Sequence, residues 1–313
     1  MAPTPEHLHL SNLDENTQIH FVTELEHLKA KSYDIMHRLL KHREFIPVSN
    51  DADPGAESIA YTQYDQVGTA KLIANYADDL PLANIKGKKF SAPVHSLGIA
   101  FSYSLQDVRA SAKSGKRLEQ RQANSAARAN AELEERLASV GDTNAGLSGF
   151  LNHPNVPTIS ALDPGAGKAW IADGKTPDQI LNDMNLAVST ILETTNEVEE
   201  PDTIILPTRE FNYIAQKRLT DLSMTIRRWF LEESPWISSI GSWNRLRLAD
   251  ATGTGPRMVV YRRDPDKLQM EIPQEYEILP VQQINLSYKV PTHSRYGGIS
   301  FYYPLSAIYM DHI

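Results

Sequence analysis

The sequence contains no cysteine. That excludes disulfides, thiolate nucleophiles and thiolate metal sites, and it leaves packing and subunit contacts as the source of durability. Folding in a reducing cytoplasm is expected. Long apolar runs are missing as well. Stretches such as Ile204-Ile205-Leu206 fall far short of the roughly 20 residues a bilayer-spanning helix needs. The first residues, Met-Ala-Pro-Thr-Pro-Glu, offer neither a basic n-region nor an apolar h-region, so no signal peptide is expected. An excess of positive charge is also absent. Lys and Arg number 31 against 39 Asp and Glu, a net charge of −8, which argues against a dedicated nucleic-acid binder with clustered basic residues.

Catalytic signatures are equally scarce. Asp163-Pro-Gly-Ala-Gly-Lys168 invites a phosphate-loop reading, but Leu162 stands where the first glycine should be and Ala169 where Ser or Thr should follow the lysine. A surface turn is expected there. Thr252-Gly-Thr-Gly255 reads as a turn for the same kind of reason. The ten histidines include His7, His9, His37 and His42, with no His-Glu-x-x-His pair. Asp78 and Asp79 are adjacent, which on a strand points them to opposite faces. No Gly-x-Ser-x-Gly elbow occurs. Neither a catalytic residue, a cofactor nor a metal is therefore assigned.

What is present is ordinary globular material: 313 residues, 41% hydrophobic and 22% charged, enough for one large domain or two moderate ones. Residues 1–15 read as a polar arm. Phe21, Leu25, Leu28, Ile35, Leu39 and Leu40 then recur at near-helical spacing between Thr17 and Lys41. Two strands are expected, Ser58 to Tyr64 and Ala92 to Ile99. Between them lies a long polar excursion with little apolar content, which predicts an extended hairpin packed on another chain. Its Lys86, Lys88 and Lys89 surround a glycine and read as a solvated turn, or as a basic tip touching acidic neighbours or DNA.

Ser104 and Asp107 predict a capped short helix towards Gly115. A long helix is expected from about Lys116 to Val140, with an apolar stripe of Leu118, Ala126, Ala129, Leu133 and Leu137 and with Gly141 at C′. Arg121, Arg128, Glu132, Glu135 and Arg136 fall on its other faces. A Gly/Pro-rich crossing follows. Thr176 and Pro177 then start a second helix that buries Ile180, Met184, Val188, Ile191 and Val198 and stops at Pro201. Thr203 to Leu206 reads as a buried strand, and Thr208 as the cap of a helix carrying Phe211, Ile214, Ala215, Leu219 and Leu222. Beyond Gly241 the pattern is β. Arg245–Leu248 and Met258–Tyr261 suggest a hairpin, and Asn285–Val290 and Ile299–Tyr303 read as the last strands. Trp229, Trp236 and Trp243 recur every seven residues, and two readings stay open for them: local core packing, or an inter-subunit contact. The fold class is α+β.

Several segments carry a resemblance. Pro54-Gly-Ala-Glu-Ser-Ile-Ala-Tyr-Thr-Gln-Tyr-Asp65, Ala74-Asn-Tyr-Ala-Asp-Asp-Leu-Pro81 and Leu118-Glu-Gln-Arg-Gln-Ala-Asn124 are followed by Gly146-Leu-Ser-Gly-Phe-Leu-Asn-His-Pro-Asn-Val156 and Asp202-Thr-Ile-Ile-Leu-Pro-Thr208. In this order they resemble tailed-bacteriophage major capsid proteins with the Hong Kong 97-like fold, over roughly residues 15 to 313. The resemblance implies an N-terminal arm (1–54), an E-loop (55–98) and a spine helix with peripheral domain (99–175). It further implies an axial domain (176–270) and mainly peripheral C-terminal strands (271–313). It also implies a non-enzymatic subunit that assembles with itself as hexamers and pentamers into an icosahedral shell, built in the host cytoplasm and found in the virion. The implied partners are a portal protein at one vertex, separate scaffolding and decoration proteins, and packaged double-stranded DNA touched non-specifically; no membrane is involved. Because the arm is short, any scaffold is expected to be a separate protein. Some relatives cross-link an E-loop lysine to an asparagine. Lys86, Lys88 and Lys89 are the candidate lysines, but no asparagine or catalytic carboxylate is identified, so cross-linking is not expected. An encapsulin-type bacterial compartment resembles the same fold and is the alternative. A soluble enzyme is a third class, which a convergent set of titratable groups in one pocket would mark.

Overall fold

The computed structural model describes residues 37–67, 84–114, 118–165, 167–220 and 223–313. The expected helix over residues 17–36, the Asp78-Asp79 pair, His7, His9 and Leu222 lie outside them. Leu40–Ile313 forms one compact unit. It opens with a short helix α1 (His42–Phe45) and a two-residue strand β1 (Val48–Ser49), so the helix expected to reach Lys41 does not: residues 37–41 are irregular.

A hairpin follows, β2 (Ser58–Val67) against β3 (Asn84–Pro93), paired without a register shift from Ser58↔Pro93 to Val67↔Asn84. The single strand expected from Ala92 to Ile99 is two. Pro93 ends β3, the Val94 N–H turns to the Glu57 carbonyl at 2.9 Å, and β4 (His95–Ser104) starts anew. Ser104 then caps α2 (Leu105–Ser114) as the sequence predicts: its Oγ accepts from the Asp107 N–H at 3.0 Å, and Asp107 accepts from the Ser104 N–H at 3.0 Å.

The long helix α3 (Leu118–Val140) ends where Gly141 takes a φ of +74°, a conformation open to glycine because it has no Cβ. Its buried face differs from the expected stripe. Ala126, Leu137 and Ala138 are buried, but Ala129 is exposed, while Asn130, Glu134 and Glu135 are buried in its place. After two short pairs, β5 (Gly141–Asp142) with β6 (Leu147–Ser148), comes β7 (Thr158–Ser160).

Helix α4 (Pro177–Thr195) starts with the capping box the sequence announces, Thr176 to Gln179 with Pro177 at the first turn. Pro201 does not stop it. Asn196 at φ 50° does, because asparagine tolerates the left-handed conformation, and Val198 is left 72% exposed. Strand β8 (Thr203–Leu206) is fully buried as expected. In α5 (Thr208–Gln216) Pro207, not Thr208, occupies the cap, and Leu219 lies past the helix end. Helix α6 (Ile226–Glu233) and β9 (Ser239–Ser242) follow. Arg245–Leu248 is no strand. It is a 3₁₀ turn that buries Leu246 beside Trp243 and leaves Leu248 exposed, so the predicted hairpin is replaced by a loop entering β10 (Arg257–Tyr261).

The C-terminal part holds β11 (Leu268–Glu271), β12 (Gln274–Ile278), β13 (Gln282–Ile284), β14 (Ser287–Tyr296), β15 (Gly298–Phe301) and β16 (Ala307–Asp311). Strand β14 starts later and runs further than Asn285–Val290. Asn285 (φ 55°) belongs to the turn before it, and Pro291 does not end it. The Pro291 carbonyl accepts from Leu279 N–H in the gap between β12 and β13, so its missing N–H interrupts no ladder. Strand β16, which the sequence reading missed, sits inside the five-stranded sheet β7-β16-β10-β8-β9. Both faces of that sheet are covered. Ile204, Leu206, Met258, Val260, Ile308 and Met310 meet Ile180, Met184, Ile214 and Phe230 of α4 to α6. Ile205, Val259, Tyr261 and Tyr309 meet Phe45, Leu137, Phe150 and the three-stranded sheet β1-β11-β15 on the other face. A second sheet sets β14 between β4 and the β12/β13 pair. Helix α3 packs on it, with Ser294 Oγ 2.9 Å from Asn130 Oδ1.

Candidate assembly surfaces

The β2–β3 hairpin is tied to the body at its base. Tyr61 stacks on Phe90 with ring centroids 5.2 Å apart, meets Tyr302 edge-on at 4.8 Å, and donates its hydroxyl to the Phe301 carbonyl at 3.2 Å. Farther out, Tyr64 and Ile85 are each 69% exposed. Gly87 faces Tyr64, where a Cβ would come within 3.0 Å of the ring. The three lysines are not a turn. Lys86, Lys88 and Lys89 lie on β3 opposite Asp65, Gln63 and Thr62, and Lys88 Nζ rests 4.9 Å from the Phe90 ring. Period-two alternation puts Lys86 and Lys88 on one face and Lys89 on the other. The tip itself, residues 68–83, is outside the described residues.

The structure separates the three tryptophans, two on a surface groove and one in the core. Trp229 and Trp236 line a groove between α4 and α6 with Leu186, Leu192 and Pro235, and its volume is about 430 Å³. Trp236 is 36% exposed. Trp243 is core: it tilts against Phe45 at 5.9 Å and donates Nε1–H to Glu135 Oε1 at 3.2 Å. Further exposed apolar residues, Ile278, Val281, Ile284 and Leu286, lie along β12, β13 and the turn that leads into β14.

Glu135, expected on a face of α3 away from the apolar stripe, is 1% exposed and also accepts from Arg245 Nε at 3.3 Å. Its neighbour Glu134 accepts from His42 Nε2 and Arg43 Nε, both at 2.8 Å. Burial opposes ionisation of Glu134, but the hydrogen bonds from His42 and Arg43 outweigh it and hold the carboxyl below the usual glutamate range. Arg43 reaches on to Glu275 at 2.9 Å, and Tyr261 Oη donates to the Phe45 carbonyl at 2.7 Å. The segment leading out of residues 1–39 is thereby pinned to α3 and to the central sheet. One signal for this was readable in the sequence: Asn130 and Glu134 continue the i, i+4 row of Ala126 and Ala138.

Below the hairpin base, a cavity of about 170 Å³ is lined by Tyr61, Phe90, Gly146, His153, Gly298 and Phe301. His153 lies tilted against Phe301 with ring centroids 4.8 Å apart, and its Nδ1 accepts from the Asn155 N–H at 3.3 Å, a bond the neutral ring makes. Burial lowers its pKa to about 4. A histidine depressed in the folded state binds fewer protons than in the unfolded chain. Its contribution is therefore fully present above about pH 6.5 and is lost as pH falls towards 4, by about 2 kcal/mol after allowing for partial exposure. Unfolding midpoints of the parent between pH 7 and 4 should fall more steeply than those of a His153→Gln chain. Parallel slopes would remove His153 as the cause.

Among the described residues, no three metal-ligating side chains converge, and no helix is long and apolar enough to cross a membrane. Solved structures share this architecture. The capsid of Myoviridae phage XM1 superposes with a TM-score of 0.79 at 18% identity, covering 93% of this chain and 98% of the other. The capsid of a native GTA particle gives 0.66 at 11% identity, covering 96% and 99%. A virus-like particle from Pyrococcus furiosus gives 0.52 at 13% identity, covering 85% and 90%. These likenesses establish the Hong Kong 97-like capsid fold. No curated protein matches the sequence. The family model described as "Major capsid protein" matches residues 68–313, more than three quarters of the chain. The chain belongs to the major capsid protein family.

Proposed function

We propose that this chain is the shell subunit of a tailed double-stranded DNA phage. It assembles with itself as hexamers and pentamers into an icosahedral capsid, in the host cytoplasm, and it stays in the virion without performing catalysis. One observation carries the reading. A hairpin of two ten-residue strands, held at its base by Tyr61 and exposing Tyr64 and Ile85 beyond, has no core of its own among the described residues. An isolated two-stranded ribbon is marginal in water, so its packing partner is another subunit. In this reading residues 1–54 are the N-terminal arm and 55–98 the E-loop. Helix α3 is the spine, 176–270 form the axial domain, and 271–313 return to the peripheral domain. Lys86, Lys88, Lys89, Trp229 and Trp236 face neighbouring subunits, whereas Trp243 supports the fold from inside. A portal protein takes one vertex, scaffolding and decoration proteins act as separate chains, and packaged DNA meets the inner surface without sequence preference.

A second reading, a compartment that holds protein cargo, draws on the likeness to the Pyrococcus furiosus particle, which is weaker than that to the phage capsid. Particles purified from cells expressing the chain with its neighbouring phage genes separate the two. Closed shells that protect DNA from nuclease support the capsid reading. Shells containing a stoichiometric enzyme and no DNA contradict it.

A further inference from the structure

The net charge of −8 conceals an uneven distribution. Residues 108–131 hold six Lys or Arg and a single Glu, so the rest of the chain is more acidic than the total suggests. Much of this segment is the first half of α3, which packs on the sheet of β4 and β14 and buries Ala126 and Asn130.

What α3 turns to solvent there has one chemistry. Gln120, Arg121, Asn124 and Ser125 are exposed, and the Arg128 side chain is 30% exposed. Their spacing puts them on one side of the helix, and every one of them carries an N–H or O–H donor. Among the described residues, no carboxylate stands on this face before Glu132, which Arg128 meets at 3.0 Å; Arg136 is exposed one turn later.

A solvated helix face in an acidic chain is expected to mix both signs, with acids one turn from bases. Here Asn124 stands one turn before Arg128, and Ser125 one turn after Arg121. Docking of a protein is disfavoured too, because the exposed face offers only Ala129 where an interface core has aromatic and aliphatic groups. A polyanion fits better. Arg121 to Arg136 spans roughly 22 Å of helix, a length over which duplex DNA presents about thirteen phosphates. The exposed Arg128–Glu132 pair contributes little, so its guanidinium turns to a phosphate with little loss. On α2, Arg109 is exposed, while the carboxylate of Asp107 is engaged by the Ser104 N–H and hydroxyl.

We propose that the carboxylate-free face of α3 from Gln120 to Arg128, with Arg109 of α2, binds the phosphodiester backbone of packaged double-stranded DNA. Guanidinium, amide and hydroxyl donors on phosphate hold the duplex without reading its sequence. This rests on the shell reading above, and it turns α3 towards the inner wall.

The test compares full-length chains before assembly, the parent and an Arg109→Gln/Arg121→Gln/Arg128→Gln variant, by anisotropy of a labelled DNA duplex across a salt titration. Each arginine that meets a phosphate adds about 0.9 to the slope of log affinity against log salt, so the variant's slope should be shallower by about two to three. A Lys86→Gln/Lys88→Gln/Lys89→Gln chain loses the same charge from the hairpin and should keep the parent's slope. Equal slopes for the parent and the arginine variant, or an equal drop in the lysine variant, overturn the assignment. The unsubstituted chain supplies the second readout, for the case in which the variants do not fold. Phenylglyoxal, which modifies arginine, is applied to free subunits, empty particles and DNA-filled particles, and the modified sites are read by mass spectrometry. Arg109, Arg121 and Arg128 should react several-fold more slowly in filled particles than in empty ones. Protection already complete in empty particles assigns the face to a neighbouring subunit, and unchanged reaction in filled particles leaves it in solvent. Either result overturns the proposal while leaving the shell reading intact. Failure of the unsubstituted chain to form particles defeats both.

Discussion

A chain with Asp183→Ala unfolds about 3–5 kcal/mol more easily than the parent, because the change strands a buried ammonium. Asp183 on α4 is fully buried. Its Oδ2 accepts from Lys175 Nζ at 2.6 Å and from Trp170 Nε1 at 2.8 Å, and its Oδ1 accepts from the Leu162 N–H at 2.9 Å. Lys175 is only 2% exposed and finds one further acceptor, the Leu162 carbonyl at 2.7 Å. One carboxylate thus fastens the Gly/Pro-rich crossing onto α4. Removing the whole pair is different, since two apolar residues of similar volume also remove the cost of desolvating the charges. Urea unfolding of Asp183→Ala and of Lys175→Met/Asp183→Leu measures both. The single variant should lose several kcal/mol and the double variant much less. Equal losses would mean that Asp183 contributes through shape and not through the ion pair.

Deleting residues 66–90 removes most of the hairpin and should abolish shells while sparing the fold. Both hydrophobic clusters lie elsewhere, between the five-stranded sheet, α4 to α6 and the β1-β11-β15 layer. The soluble subunit should therefore keep its unfolding free energy to within about 1 kcal/mol. Negative-stain images should show no closed particles where the parent forms them. Normal shells from the deleted chain would remove the hairpin from the assembly mechanism. An insoluble or unfolded product would show instead that the hairpin belongs to the core.

Where local chemistry decides an element, the sequence made it legible. The Thr176–Gln179 capping box with Pro177, the Ser104–Asp107 cap and Gly141 after α3 all stand where residue preferences put them. Where tertiary packing decides, the sequence misled. Arg245-Leu-Arg-Leu248 alternates like a strand, but the body demands Trp243 and Leu246 on one side, a spacing of three. Strand β16 shows no alternation because both of its faces are packed, so all five residues are buried. Glu135 read as lying off the apolar stripe, and Glu134 drew no reading, because their partners, His42, Arg43, Trp243 and Arg245, are some 90 to 110 residues away. The candidate surfaces were half legible. The coreless hairpin was visible as a polar excursion, but the lysines taken for its turn belong to β3, and the regular spacing of the tryptophans hid that Trp243 faces inward.

The central claim is that this chain works as one of many identical subunits, and the mass of the purified particle tests it most directly. Size-exclusion chromatography with light scattering on the full chain should give megadalton shells or rings several times the 35.1 kDa chain mass. A single 35.1 kDa species at every concentration, unchanged when a scaffolding protein is supplied, would contradict the account.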